Sequence, residues 1–126
     1  MRILLDTHIL LWAARGTLES KVTSLLEDKS NDLYFSPVNI WEIELKREKL
    51  NIDPRVFLHS LIHNGYRELT LTSRHVVALC QLPKLHSDPF DRILLAQALS
   101  EDIVLLTADA VVKQYSATVG CILSLD

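Results

Sequence analysis

Two cysteines, three glycines and four prolines are all that 126 residues hold of the types that staple or interrupt a chain. Cys80 and Cys121 lie in separate apolar stretches with no CxxC spacing, which argues against a disulfide framework and a thiolate metal site and predicts reduced core thiols. So little Gly and Pro beside a 48% hydrophobic fraction excludes a linker-rich or disordered chain. One compact domain over residues 1–126 is expected, large enough to fold without staples. No apolar run approaches the roughly 18 residues that cross a bilayer. Asp6 breaks the apolar start behind Arg2 and no small-residue cleavage site follows, so a secretory signal is not expected. These absences predict a cytoplasmic protein with no membrane partner. A basic excess is missing too: 13 Lys and Arg against 16 Asp and Glu leave a net charge of -3, which weighs against a broad phosphate-binding face.

What the chain does contain is an alternation of short apolar runs and longer amphipathic segments. "RILLD", "DLYFS", "YRELTLT", "IVLLT" and "CILSL" read as strands, and the segments between them carry helical spacing. "THILLWAAR" ends at Gly16, and "TLESKVTSLLEDKSN" repeats Leu18, Val22, Leu25 and Leu26. Ser36-Pro37, Asp53-Pro54 and Asp88-Pro89 each set an N-cap before a proline at the first helical position. Gly65 fits a left-handed end to the second of these helices. "SRHVVALCQL" and "ADAVVKQYS" complete the helices. Strands too apolar to carry a wet face, alternating with helices, imply an α/β fold with a mostly parallel sheet covered on both faces.

In such a sheet ligands bind beyond the carboxyl ends of the strands, near the point where strand order reverses. Asp6 ends the first strand and Asp109 follows "IVLLT", so both emerge at that edge. Asp91 shares a helical stripe with Leu94, Leu95 and Ala98 and faces inward. Glu42 borders the stripe of Val38, Trp41 and Leu45, with Asn39 and Lys46 a turn to either side. Each acid also has an ordinary reading: Asp6, Asp88, Asp91 and Asp109 can serve helix N-termini, and Glu42 can pair with Lys46 on a surface. Together they are harder to explain that way, because carboxylates gathered in a half-buried cleft repel one another unless a cation sits among them. Oxygen donors without Cys or paired His favour Mg²⁺ or Mn²⁺ over zinc. Such an ion activates water and neutralises phosphate charge, which points to phosphodiester hydrolysis.

"LLDTHILLW", "SPVNIWEIELKREKL", "LHSDPFDRILLAQA" and "IVLLTAD", in that order and over nearly the whole chain, resemble the PIN-domain ribonucleases, and among them the VapC-type toxins of toxin–antitoxin pairs. The resemblance implies a PIN-like doubly wound sandwich, in agreement with the periodicity. It implies that Asp6, Glu42, Asp91 and Asp109 form the catalytic acidic cluster holding Mg²⁺ or Mn²⁺, with Asp6 and Asp91 as direct ligands. Thr7 and Thr107 are implied to orient the first and last acids, and Lys46 to balance charge or touch a phosphate. Asp88 competes with Asp91 for the metal-facing place; the inward stripe favours Asp91. The family further implies an RNA substrate, a homodimer, and a small antitoxin protein over the cleft. "KVTSLLED" and "PVNIWEIEL" are the segments expected at the dimer surface. Setting aside the four acids leaves 12 Asp and Glu against 13 Lys and Arg, so the remainder is near neutral and compatible with RNA.

Other features carry less. Arg15, Lys46, Arg47, Lys49 and Lys84 are candidate backbone contacts, though a solvated face explains most of them. His59 and His63, four apart on a helix, face away from Phe57, Leu61 and Ile62 and lack a third ligand, so a surface pair is expected. His8 and His86 neighbour the acids and are candidates to assist substrate binding. Trp12 and Trp41 are candidates to stack on an RNA base, but as large aromatics on apolar stripes they are expected in the core. A haloacid-dehalogenase-type phosphohydrolase needs a second acid where His8 stands, and a receiver domain needs an Asp that the segment after "YRELTLT" lacks. The remaining rival is a catalytically inactive PIN-like module that binds RNA or protein.

Overall fold

The structure is a computed structural model that describes residues 1–117 and 122–123. Its strands are β1 (Arg2–Leu5), β2 (Asp32–Phe35), β3 (Arg67–Glu68), β4 (Val104–Leu106) and β5 (Ile122–Leu123). They form one sheet in the order β3-β2-β1-β4-β5, and every pairing is parallel. The helices are α1 (Thr7–Arg15), α2 (Ser20–Glu27), α3 (Pro37–Leu45), α4 (Arg47–Leu50), α5 (Pro54–His63), α6 (Ser73–Val77), α7 (Pro89–Glu101) and α8 (Ala110–Lys113). Short 3-10 turns follow α6 at Ala78–Gln81 and α8 at Gln114–Ala117.

The apolar run of β1 explains its central place. Ile3, Leu4 and Leu5 are wholly buried, and successive side chains point to opposite faces. Leu4 joins Leu105, Leu94, Leu95 and Ile103 under α7, whereas Ile3, Leu5 and Leu106 join Ile9, Leu10, Phe57 and Leu61 under α1 and α5. Each such side chain contributes roughly 1.5–3 kcal/mol on burial. The two cores therefore lie on the two sides of the sheet, and α3 reaches both, with Val38 in one and Ile43 in the other. This is the doubly wound α/β sandwich that the strand and helix alternation predicts. No helix among the described residues is long and apolar enough to cross a membrane.

Several details differ from the sequence reading. The segment 36–50 is not one helix: the chain breaks at Lys46 (φ -107°, ψ 13°) and restarts as α4, which ends on left-handed Asn51. The helix drawn from 17–31 shrinks to α2, because Asp28 turns back to accept from Ser30. Of "YRELTLT" only Arg67 and Glu68 pair as a strand, since Thr72 already caps α6. Cys80 is exposed on the turn after α6 and is no core thiol; Cys121 lies outside the described residues. Trp12 and Trp41 are not core either, being 38% and 56% exposed, and Leu45 and Ile62 also face solvent. Gly16 and Gly65 do take the left-handed conformation at the ends of α1 and α5. His59 and His63 form an exposed stacked pair.

Candidate active site

Strand order reverses between β1 and β4, which run parallel side by side while their connections depart in opposite directions. The carboxyl ends of these two strands release Asp6 and Thr107. Asp6 is held in place three ways. Its backbone N–H donates to Leu106 O at 3.1 Å, its Oδ1 accepts from Ile9 N at 2.9 Å as the N-cap of α1, and its Oδ2 accepts from the Thr107 hydroxyl. Thr107 Oγ1 in turn accepts from Asp109 N at 3.0 Å. One hydroxyl thus ties the first acid to the last. Burial drives the Asp6 carboxyl above the usual carboxylate range, against the pull of the Thr107 and Ile9 hydrogen bonds and the His8 charge.

Asp109 lies half-buried at the start of α8, where its Oδ1 accepts from Val111 N at 2.8 Å and Val112 N at 3.4 Å. Asp88 caps α7 in the same manner, accepting from Phe90 N at 2.9 Å and Asp91 N at 3.3 Å. Asp91, in the first turn of α7, is the member of the pair on which the charge of Asp109 acts. Its carboxyl is pushed up to about 6, first by burial and then by the charges of Asp88 and Asp109, with His86 opposing. His86 Nε2 stands 3.4 Å from Asp91 Oδ2, and His86 Nδ1 lies 2.8 Å from the hydroxyl of buried Tyr115. Arg92 donates to that same hydroxyl at 3.0 Å and to Pro83 O.

The fourth acid comes from α3, whose two faces are inverted in character: Asn39 and Glu42 are buried while Trp41 and Leu45 are exposed. Glu42 therefore lies on the inward face instead of beside it. Its Oε2 accepts from Lys46 Nζ at 2.7 Å. The Lys46 ammonium is held above the ordinary lysine range by that hydrogen bond first, and by the charges of Glu42, Asp88 and Asp91. Lys46 is thus bonded to Glu42 and lies within the field of the α7 acids.

Thr7 does not hold an acid. Its hydroxyl accepts from Asn39 Nδ2 at 3.0 Å; the same amide donates to Leu5 O at 3.3 Å, and Asn39 Oδ1 accepts from Ser36 N at 2.7 Å. Asn39 fastens the end of β1 to the start of α3, a role that the sequence reading, which places it only as a neighbour of Glu42, does not assign. The Ser36–Asn39 spacing of a capping box was the available signal. Nothing in the sequence signalled Tyr115. Of the basic residues, Arg15 reaches Leu50 O at the far end of α1 and Arg47 pairs with Glu44 at 3.7 Å. Lys84 lies on the loop before α7 with His86 and Arg92.

Oxygen donors, mutual repulsion and burial together make this cluster suited to a hard divalent cation. As the side chains stand, no group of three or more His, Cys, Asp or Glu among the described residues is set to hold an ion, so binding requires them to draw together.

A model of the PIN domain matches residues 3–117. The chain belongs to the PIN domain family. Among solved structures, the PIN domain is similar to VapBC2 from Rickettsia felis bound to a promoter DNA fragment, at TM-score 0.77, 16% identity and 100% of each chain. It is also similar to VapBC-1 from nontypeable Haemophilus influenzae, at TM-score 0.70, 15% identity and 98% of each chain. A third is FitAcB from Neisseria gonorrhoeae, at TM-score 0.68, 18% identity, 97% of this chain and 96% of that one. At these identities the likeness is one of fold. No curated protein matches the chain significantly.

Proposed function

We propose that this PIN domain is a Mg²⁺- or Mn²⁺-dependent endoribonuclease that hydrolyses RNA phosphodiester bonds as the toxin of a toxin–antitoxin pair. The observation that carries the reading is that Asp6 and Asp109, tied through the Thr107 hydroxyl, stand at the carboxyl edge of the sheet where strand order reverses, with Asp91 near enough for the charge of Asp109 to act on it and Glu42 paired with Lys46. Asp6 and Asp91 would hold the ion directly, and Glu42 and Asp109 would complete its surroundings. When bound, the ion supplies the charge that stabilises the phosphate in the transition state and makes water a better nucleophile. The Asp6 carboxylate accepts from Ile9 N, the Thr107 hydroxyl and the Ala108 backbone, and of a carboxylate's roughly four lone-pair sites this leaves room for a cation. Thr107 fixes the spacing of Asp6 and Asp109 before any ligand arrives, and such preorganisation lowers the cost of reorienting them. Lys46 neutralises a phosphate oxygen while remaining anchored to Glu42. The VapBC and FitAcB complexes support a small antitoxin as partner. A homodimer would use the outer face of α3, where Trp41 and Leu45 face solvent.

A second reading keeps the fold without the activity: Asp6, Asp88 and Asp109 already cap helices, and Glu42 already has a cation. Cleavage assays separate the two. Native protein with Mg²⁺ or Mn²⁺ is expected to cut RNA, to stop on chelation, and to lose at least a hundredfold in rate as Asp6→Asn or Asp91→Asn, in line with the loss of a group that stabilises transition-state charge. Cleavage indifferent to both substitutions sinks the mechanism; no cleavage of any RNA leaves the binding module.

A further inference from the structure

Beside the acids, between α1 and α2, lies a cavity of about 470 Å³. One wall is Thr107 and Ala108, the residues between β4 and Asp109. Another is Trp12, with Ile9 and Val22 as apolar lining and Glu19 and Lys113 as charged groups. Trp12 is the third residue after Ile9 on α1, the helix that Asp6 caps. It keeps 38% of its surface in solvent although neighbouring Leu10 and Leu11 are buried. The exposed His8 ring stands 6.0 Å from it at 44°, so the indole has one partly supported face and one open edge.

We propose that this cavity seats the nucleobase of the nucleotide adjoining the cleaved phosphate, with Trp12 as its stacking surface. The proposal rests on the ribonuclease reading of the acidic cluster. Three observations support it. The cavity shares Thr107 with that cluster, and the Thr107 hydroxyl is bonded to Asp6, so a base seated here lies one nucleotide from the reacting phosphate. Its lining mixes a flat aromatic face with groups that donate and accept, which matches a base's π-face and polar edge. Its size falls within the range of small-ligand clefts. Another groove, between α1, α2 and α5, has about 560 Å³ and is lined by Leu10, Leu26, Phe57 and Leu61. That groove lacks Thr107 and any other side chain bonded to the acids, and its apolar lining suits an apolar peptide face better than a base. Trp12 supplies a stacking surface that any base can use, while Glu19 and Lys113 choose among base edges.

The chain contains two tryptophans, so Trp41→Phe leaves Trp12 as a lone fluorescent reporter. In EDTA, where no cleavage intrudes, RNA hexamers of each base are expected to quench Trp12 in that variant, and an abasic ribose-phosphate hexamer is not. Trp12→Ala is expected to weaken hexamer binding about tenfold or more and leave abasic hexamer binding unchanged, from the size of base–aromatic stacking. Trp12→Phe should recover most of the loss. With Mg²⁺, Trp12→Ala should raise KM far more than it lowers kcat and flatten the preference among bases. Hexamers that bind without quenching Trp12, equal loss with abasic and intact hexamers, or quenching by an antitoxin peptide and not by RNA would each overturn the proposal. Quenching by hexamers in a chain that cuts no RNA leaves the base pocket standing and removes the nuclease reading instead.

Discussion

Asp91 bears the cost of the site most visibly. Its carboxyl ionises near 3.8 in an ordinary setting and near 6 in the fold, because burial and the charges of Asp88 and Asp109 disfavour the anion. The sign follows from linkage: both states are protonated below about pH 4, the unfolded chain ionises first as pH rises, and folding loses stability until about pH 6. The loss amounts to about 2–3 kcal/mol when complete. Asp91→Asn is therefore expected to unfold at higher denaturant than the native chain at pH 7 in EDTA, and to show a flatter decline between pH 4 and 6. Equal or lower stability of the variant would contradict the charge account. Mg²⁺ should narrow the gap by stabilising only the native chain. Asp6 and Asp91 were legible in the sequence because an acid at a strand end or on a leucine stripe violates the local pattern. Asn39 was not, since an amide three residues past Ser36 satisfies a local capping rule and its long-range partners Leu5 and Thr7 leave no local trace.

At the scale of elements, α3 shows why patterning misled. An apolar stripe of Val38, Trp41 and Leu45 predicts the buried side, yet only Val38 of the three is buried. The helix turns Asn39, Glu42 and Ile43 inward because Ser36 and the end of β1 must be bridged by the Asn39 amide. Its displaced apolar residues then form a patch: Trp41 meets Phe90 edge-on at 5.1 Å, and Lys46 lies 5.9 Å from the same ring. Exposed apolar surface of this kind marks contact with another molecule. If the homodimer uses it, Leu45→Lys should halve the mass measured by light scattering at micromolar protein while leaving the circular dichroism unchanged. A mass unaffected by the substitution would move the interface elsewhere. The strands were read correctly wherever burial on both faces forced a continuous apolar run, as in β1 and β4. The edge strand β3 was overextended because "YRELTLT" alternates like a strand while its last residue is committed to α6.

For the whole molecule, charge would set how tightly the proposed RNA substrate is held. With a net charge of -3 and Arg15 and Arg47 engaged away from the acids, few cations are available to displace counterions from a phosphate backbone. RNA affinity is expected to fall only gently with salt, with a slope corresponding to about two or three phosphates, in titrations from 50 to 200 mM. A steep slope would place a basic face where the fold has none evident. On the proposed nuclease reading, affinity would come from the bound ion, Lys46 and base contacts, which favours selective over indiscriminate cleavage. The doubly wound sheet makes this economical. Two separate cores fix one edge, and the chemistry is confined to the loops that leave it.

The Thr107 hydroxyl, shared by Asp6 and the Asp109 backbone, has a genetic consequence. If expression of this chain arrests growth, survivors selected without the antitoxin should carry lesions beyond the four acids. Replacement of Thr107 by Ile or Ala should recur among them, whereas Ser should be absent because it keeps the donor. A collection of escape alleles lacking Thr107 at saturating depth would show that the acids hold their spacing without it.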